Sequence, residues 1–231
     1  MLDMNDYEIN RLSYKKAILY DKRTFIQYYW SILKKGNILL FAFIPNNDYN
    51  SMILKICLFL LSFGLYYTVN ALFFSDLSIH KIYNNEGKYD FIYQIPKIIY
   101  STIISSVINL LMKTLSLTEK NIISLKDKIT NNKLEQYIYN LKKCLKIKFF
   151  LFFIISYIFL FIFWLYVSTF CAVYRIDAKY LFDDTIISFG LELFYPFGYY
   201  LILGLFRIYS LKDKNKNKEC IYNIGKFIQP S

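Results

Sequence analysis

The sequence is poor in the residues that break or cross-link a chain. Only 7 of its 231 residues are Gly and 4 are Pro, which excludes a collagen-like or low-complexity chain. Its four cysteines are too few and too scattered for a disulfide-rich secreted module. Histidine is rarer still. His80 stands alone, with Asp76 four residues earlier, and such a pair falls short of the three or four ligands of a zinc site. No Gly-rich phosphate loop, zinc-protease pair or nucleophile elbow occurs. The sequence therefore indicates no catalytic residue, no metal and no cofactor, and the expectation is a non-enzyme.

What it has in excess is apolar and positive. Hydrophobic residues make up 56% and aromatic residues 20%, and 28 Lys and Arg against 17 Asp and Glu give a net charge of +11. Part of the Ile, Lys, Asn, Tyr and Phe abundance is what AT-rich coding produces, so position along the chain says more than totals. A helix crossing a bilayer needs about 20 mostly apolar residues. Four stretches meet this: Ile56–Ser75, Ile98–Leu117, Phe149–Tyr174 and Ile186–Phe206. A fifth, Ile38–Ile44, stops at Pro45; it is too short to cross and is expected at the surface or partly inserted. The first 35 residues lack the apolar core of a cleavable signal peptide, so Ile56–Ser75 is expected to act as the insertion signal.

Lys and Arg resist passage across lipid, so their distribution records topology. Residues 1–55 carry eight, 113–148 nine and 207–231 six, while the alternating segments 76–97 and 175–184 carry three and two. This pattern predicts an all-α polytopic membrane protein with four transmembrane helices and both termini cytosolic. Neither loop on the far side holds a glycosylation sequon. Residues 1–55 then form a cytosolic or interfacial amphipathic segment, 56–206 the transmembrane domain and 207–231 a cytosolic charged tail. Cys57, Cys144 and Cys220 lie beside the membrane on the cytosolic side, either as palmitoylation sites or as inert thiols.

Between the second and third spans, apolar residues recur at Leu111, Leu115, Ile122, Leu125 and Ile129 with Thr118 between them. This is heptad spacing. It resumes at Leu134, Ile138, Leu141 and Leu145 after the turn Thr130–Lys133. Segment 113–148 is therefore expected to form a cytosolic helical hairpin of coiled-coil type, or else an amphipathic pair lying on the membrane. Lys142, Lys143, Lys146 and Lys148 would suit anionic lipid headgroups either way. Lys22, Arg23, Lys34 and Lys35 flank Phe25, Ile26, Tyr28, Tyr29 and Trp30, as in a helix lying among headgroups. Beside four spans this interleaving favours lipid over single-stranded nucleic acid.

Polar residues inside the spans collect at one depth. Asn70 with Thr68, Ser101 with Thr102 and Ser105, Ser168 with Thr169, and Glu192 all fall in the outer half of their helices. They are expected to form a polar cluster around Glu192. Two meanings stay open: a pocket for a headgroup, ion or proton, or helix packing through small hydroxyl residues. Pro196, Gly198 and Gly204 make the fourth helix the one expected to bend.

Tyr20–Ser31, Asn46–Asn50, Ser62–Asp76, His80–Tyr83, Tyr93–Asn109, Cys144–Phe150, Phe170–Tyr174, Asp184–Leu191, Tyr195–Gly198 and Leu205–Ile208 carry a resemblance. Through these segments the chain resembles a family of multi-pass membrane domains from protists, often C-terminal in longer proteins, with no assigned activity. The resemblance implies a membrane module and no catalytic residue. Taken together, the expected function is to anchor or assemble partner proteins at a membrane, as a heteromeric or homo-oligomeric component without nucleic acid. The alternative is a subunit of an oligomeric channel or transporter that uses the cluster around Glu192.

Overall fold

The computed structural model describes residues 4–45, 48–74, 79–80, 83–84, 91–126, 134–175, 177–212 and 218–229. Ten helices are named within them, and no strand occurs among the described residues. In chain order they are α1 (Asp6–Asn10), α2 (Tyr14–Tyr20), α3 (Phe25–Gly36), α4 (Ile38–Phe43), α5 (Met52–Leu72), α6 (Phe91–Ser116), α7 (Glu119–Lys126), α8 (Leu134–Val173), α9 (Ala178–Lys212) and α10 (Glu219–Ile228). Four of them, α5, α6, α8 and α9, have the length and apolar character to cross a membrane. The described residues thus form an all-helical protein with four candidate spans, one for each apolar stretch read from the sequence.

The chain divides into two compact units, and α9 contributes to both. The terminal unit comprises residues 1–50 and 193–231, the central unit residues 51–192. The division falls where Pro196, lacking an N–H, removes the ladder bond to the Glu192 carbonyl.

In the terminal unit, local chemistry sets the helix ends. Thr24 and Gln27 close a capping box at the start of α3, each side chain accepting from the other's backbone N–H at 3.4 and 2.9 Å. Asn37 follows the end of α3. Its side-chain oxygen accepts from Leu39 and Leu40 N–H at 3.0 and 3.1 Å and so starts α4, while its amide donates to the Leu193 carbonyl at 2.6 Å. Tyr28, Ile32 and Leu33 of α3 pack with Tyr200 and Leu203 of α9, and Tyr14 and Ala17 of α2 pack with Tyr222 of α10. Where a charged tail was expected, α10 forms. Past the polar run, Tyr222 is buried and its hydroxyl donates to the Leu12 carbonyl at 2.8 Å.

A close approach depends on glycine at one point. A Cβ at Gly36 would lie 1.8 Å from the Tyr200 hydroxyl and 2.2 Å from its ring. Tyr200 is itself buried among Tyr28, Ile32 and Leu33 and has nowhere to swing. Gly36→Ala is therefore expected to cost about 1–3 kcal/mol through overpacking. Thermal aggregation in detergent should show the loss, and Gly36→Ala with Tyr200→Ala should lose less than the two single losses added together.

In the central unit, α5 packs against α6 and α8, and α6 against α8. Ala71, Phe74, Phe170 and Leu181 form one apolar core there. The arm expected to run on from Leu111 to Ile129 is interrupted. Helix α6 stops at Ser116 and α7 starts afresh at Glu119, while Lys148 of α8 donates to the Leu117 carbonyl at 2.6 Å. A lysine satisfying a carbonyl at a helix end is a C-terminal cap, which favours termination there. Ile129 and the proposed turn Thr130–Lys133 lie outside the described residues. On the other arm, α8 runs unbroken for 40 residues and joins Leu134–Lys148 to the third apolar stretch.

Candidate functional site

Three helices of the central unit carry polar residues at every fourth position. On α5 these are Ser62, Tyr66 and Asn70; on α6 Lys97, Ser101, Ser105, Asn109 and Lys113; on α9 Asp184, Ser188 and Glu192. Four residues advance a helix by about 6 Å and carry it about 40° past a full turn, so each set forms a stripe that winds slowly round its helix. The stripes meet in the interior, because hydrocarbon leaves polar groups no partners except one another.

The contacts run in order along the helices. At one end Lys97 pairs with Asp184, with side chains 9% and 0% exposed, and the Lys97 ammonium sits 4.1 Å from the centre of the Phe74 ring. Next, Asn70 donates to Ser188 at 2.7 Å and to Thr185 at 3.5 Å. Then Tyr66 and Ser106 donate to the same Glu192 oxygen at 3.2 and 3.4 Å. Lys113, from the α6 stripe, is the cation whose charge acts on Glu192. Last, Asn109 donates to Ser62 at 2.7 Å. The α6 stripe from Lys97 to Lys113 covers about 24 Å of helix rise, most of a hydrocarbon core about 30 Å thick. Lys97 and Asp184 thus form an ion pair at one level, and Glu192 with its hydrogen-bond donors marks a second, since a buried charge is tolerable only when paired or hydrogen-bonded.

Three buried oxygens between the two charged levels have no protein partner: Asn70 Oδ1, Thr102 Oγ1 and Ser105 Oγ. Their level follows from the flanking contacts, Lys97 to Asp184 on one side and Ser106 to Glu192 on the other. Ser101 is satisfied locally, donating to the Ile98 carbonyl at 3.0 Å. Ser156 on α8 is a further buried hydroxyl without a partner.

Of the seven residues expected around Glu192, the structure sets Glu192, Asn70, Ser101, Thr102 and Ser105 on the three helices that build the seam. Ser168 and Thr169 stand on the exposed side of α8, both hydroxyls turned back to the Leu165 carbonyl at 2.9 and 2.8 Å. They share the depth of the cluster and not its face. Depth along the sequence does not find Lys97 and Asp184, which the charge count puts at loop ends, nor Tyr66, Ser188 and Lys113. The repeating interval of four was the signal that would have found them.

The basic residues divide as well. Lys22, Lys142, Lys143 and Lys146 are exposed, while Lys34, Lys35 and Lys148 are half-buried. Arg23 belongs to an internal network of the terminal unit: it bonds Asp21 at 2.8 Å, Asn10 at 2.7 Å, and Asp6 and Ser31 at 3.2 Å. Arg207 reaches the same Asp21 carboxylate at 2.8 Å and the Ile9 carbonyl at 3.1 Å, and stacks 4.5 Å from the Tyr222 ring centre. Burial pushes the Asp21 carboxyl up, but the bonds and charges of Arg23 and Arg207 outweigh it and hold it below the ordinary aspartate value. Burial also pushes the nearby Tyr28 hydroxyl up to about 12.

His80 is exposed, and Asp76 lies outside the described residues. Among the described residues no group of three or more His, Cys, Asp or Glu side chains could hold a metal. All four cysteines are free thiols, Cys144 and Cys220 exposed and Cys57 and Cys171 half-buried. No family model, curated protein or solved structure matches the chain.

Proposed function

We propose that the chain is a multi-pass membrane module, both termini cytosolic, that anchors and assembles partner proteins at a membrane. The observation that carries this is the division of labour along α8. Its apolar length is the least enclosed of the four candidate spans, and it presents Phe150, Phe153, Tyr157, Phe161 and Trp164 outward. Exposed apolar surface on this scale is covered by lipid or by another helix. The same helix begins with a polar arm on which Lys142, Lys143 and Lys146 are exposed, a basic handle suited to acidic partners or anionic headgroups. One rigid element thus joins the bilayer to the basic arm. The charge distribution supports the sidedness, since the three Lys- and Arg-rich segments alternate with two poor ones.

Native gel electrophoresis of gently solubilised membranes tests the reading. The protein should migrate in an assembly larger than itself, and Lys142→Glu with Lys143→Glu and Lys146→Glu should release it while leaving it in the membrane. A wild-type protein that migrates as a lone monomer, or an assembly indifferent to the triple reversal, would refute it.

A further inference from the structure

We infer that the polar seam of the central unit holds a chain of internal water and relays protons between Glu192 and Asp184, an activity beyond anchoring. An anchor needs helices that pack; it does not need two carboxylates, two ammonium groups and a row of hydroxyls in its interior. Ionisable groups at membrane depth are expensive and mark ion or proton routes. Here they stand in a line. Glu192 and Asp184 are eight residues apart on α9, about 12 Å, too far for direct transfer. The gap between them contains Thr185 and Ser188 on the same helix, Asn70 on α5 and Thr102 and Ser105 on α6.

The second, independent observation is the three partnerless oxygens at this level. Asn70 and Ser105 are each 0% exposed, and Asn70 Oδ1, Thr102 Oγ1 and Ser105 Oγ are buried without a protein partner. Such atoms are costly when left unsatisfied, and internal water bound by several polar groups is the usual remedy. Water bound at Asn70 Oδ1, Thr102 Oγ1 and Ser105 Oγ would stand at the level between the two carboxylates. Every hydroxyl and water there both accepts and donates, so a proton entering at one end displaces another at the far end.

The step balances without electrons or a co-reactant. A hydronium at the Lys113 end gives its proton to Glu192, forming one carboxyl O–H and leaving water. Glu192 donates to the water chain, whose O–H bonds break and reform in sequence toward Asp184. Asp184 accepts as its ion pair with Lys97 opens, then releases the proton to water at that end. Tyr66 from α5 and Ser106 from α6 donate to Glu192, which also feels the charge of Lys113; Lys97 from α6 pairs with Asp184. Asp184 is paired with Lys97 and Glu192 feels the charge of Lys113, so a passing proton adds one positive charge to the path at a time.

The test uses the full chain reconstituted into sealed phosphatidylcholine–phosphatidylglycerol vesicles with a pH-sensitive dye inside, and valinomycin with potassium to dissipate charge. After an external acid step, wild-type vesicles should acidify several-fold faster than protein-free ones. Glu192→Gln, which keeps shape and hydrogen bonding, should slow the protein-dependent rate by about tenfold or more, in line with loss of a proton-transferring group. Ser105→Ala should slow it less, and Ser168→Ala, on the exposed side of α8, not at all. Wild-type vesicles no faster than empty ones, or a rate that Glu192→Gln leaves unchanged in a monodisperse protein, would overturn the proposal. The anchoring reading is judged on native gels, so the two fail separately.

Discussion

Arg207→Ala should loosen the terminal unit more than any other single change in it. Arg207 is 4% exposed and Asp21 3% in their side chains, and breaking a buried pair by removing one member typically costs about 3–5 kcal/mol. The loss extends past the pair. Arg207 also donates to the carbonyls of Ile9 and Asn10 and lies over the rings of Tyr28 and Tyr222. Through one side chain, α9 thus gathers the N-terminal segment and α10. Limited proteolysis in detergent should show cleavage within residues 1–50 many times faster than in wild type. Arg207→Lys should not restore resistance, because a single ammonium lacks the fork that meets a carboxylate and two carbonyls together.

The same side chain sets an acid limit. The folded Asp21 carboxyl lies below its ordinary value, so its stabilising contribution is fully present above the unfolded value of about 3.9. It is lost only as pH falls through the lower folded value. Without Arg207 the folded value rises toward the ordinary one, and proteolytic sensitivity should set in at higher pH. Identical cleavage rates in wild type and Arg207→Ala at neutral pH would remove Arg207 from the centre of this unit.

Why the sequence revealed the spans and not their pairing is a matter of which coordinate it records. Hydropathy is a property of length along the chain, and each apolar stretch lies in a helix of the structure, though three of the four helices start well before their stretch, α8 as early as Leu134. The first begins at Met52 rather than Ile56 because the helix continues past Lys55, whose side chain is itself buried. Depth is also a length along the chain, so Asn70, Ser105 and Glu192 could be placed at one level. Contact requires rotation about each helix axis as well. Ser168 and Thr169 have the right depth and the wrong angle, and their hydroxyls bond their own helix instead. Lys97 and Asp184 had the right angle, four-residue steps from Ser101 and Ser188, but their charge had placed them in loops. Charge is a poor marker of loop position when two opposite charges can enter the interior together. Arg23 shows the same limit from the other side. Among aromatic residues it resembles a headgroup ligand, yet Asp21, two residues away, and Asn10 engage it internally.

Lys97→Ala is the second change expected to act strongly, and it separates energy from activity in the central unit. It breaks the ion pair with the Asp184 carboxylate, 0% exposed, a loss of about 3–5 kcal/mol by the usual cost of removing one member of a buried pair. Asp184→Ala should cost a similar amount by stranding the ammonium. Lys97→Met with Asp184→Leu removes both charges and fills the site with apolar side chains, and apolar replacements of a buried pair are often neutral or stabilising by about 1–4 kcal/mol. The double variant should therefore stay monodisperse on heating in detergent to at least the wild-type temperature, while each single variant aggregates well below it. If the pair were only structural, the double variant would match wild type in every respect. If Asp184 is the exit of a proton path, the same stable protein should leave the vesicles as proton-tight as empty ones, because a methionine and a leucine neither accept nor release a proton. Stability restored together with proton flux would confine the pair to packing. Stability restored without flux would mean that the pair's charge is kept at a cost in stability that packing alone does not require.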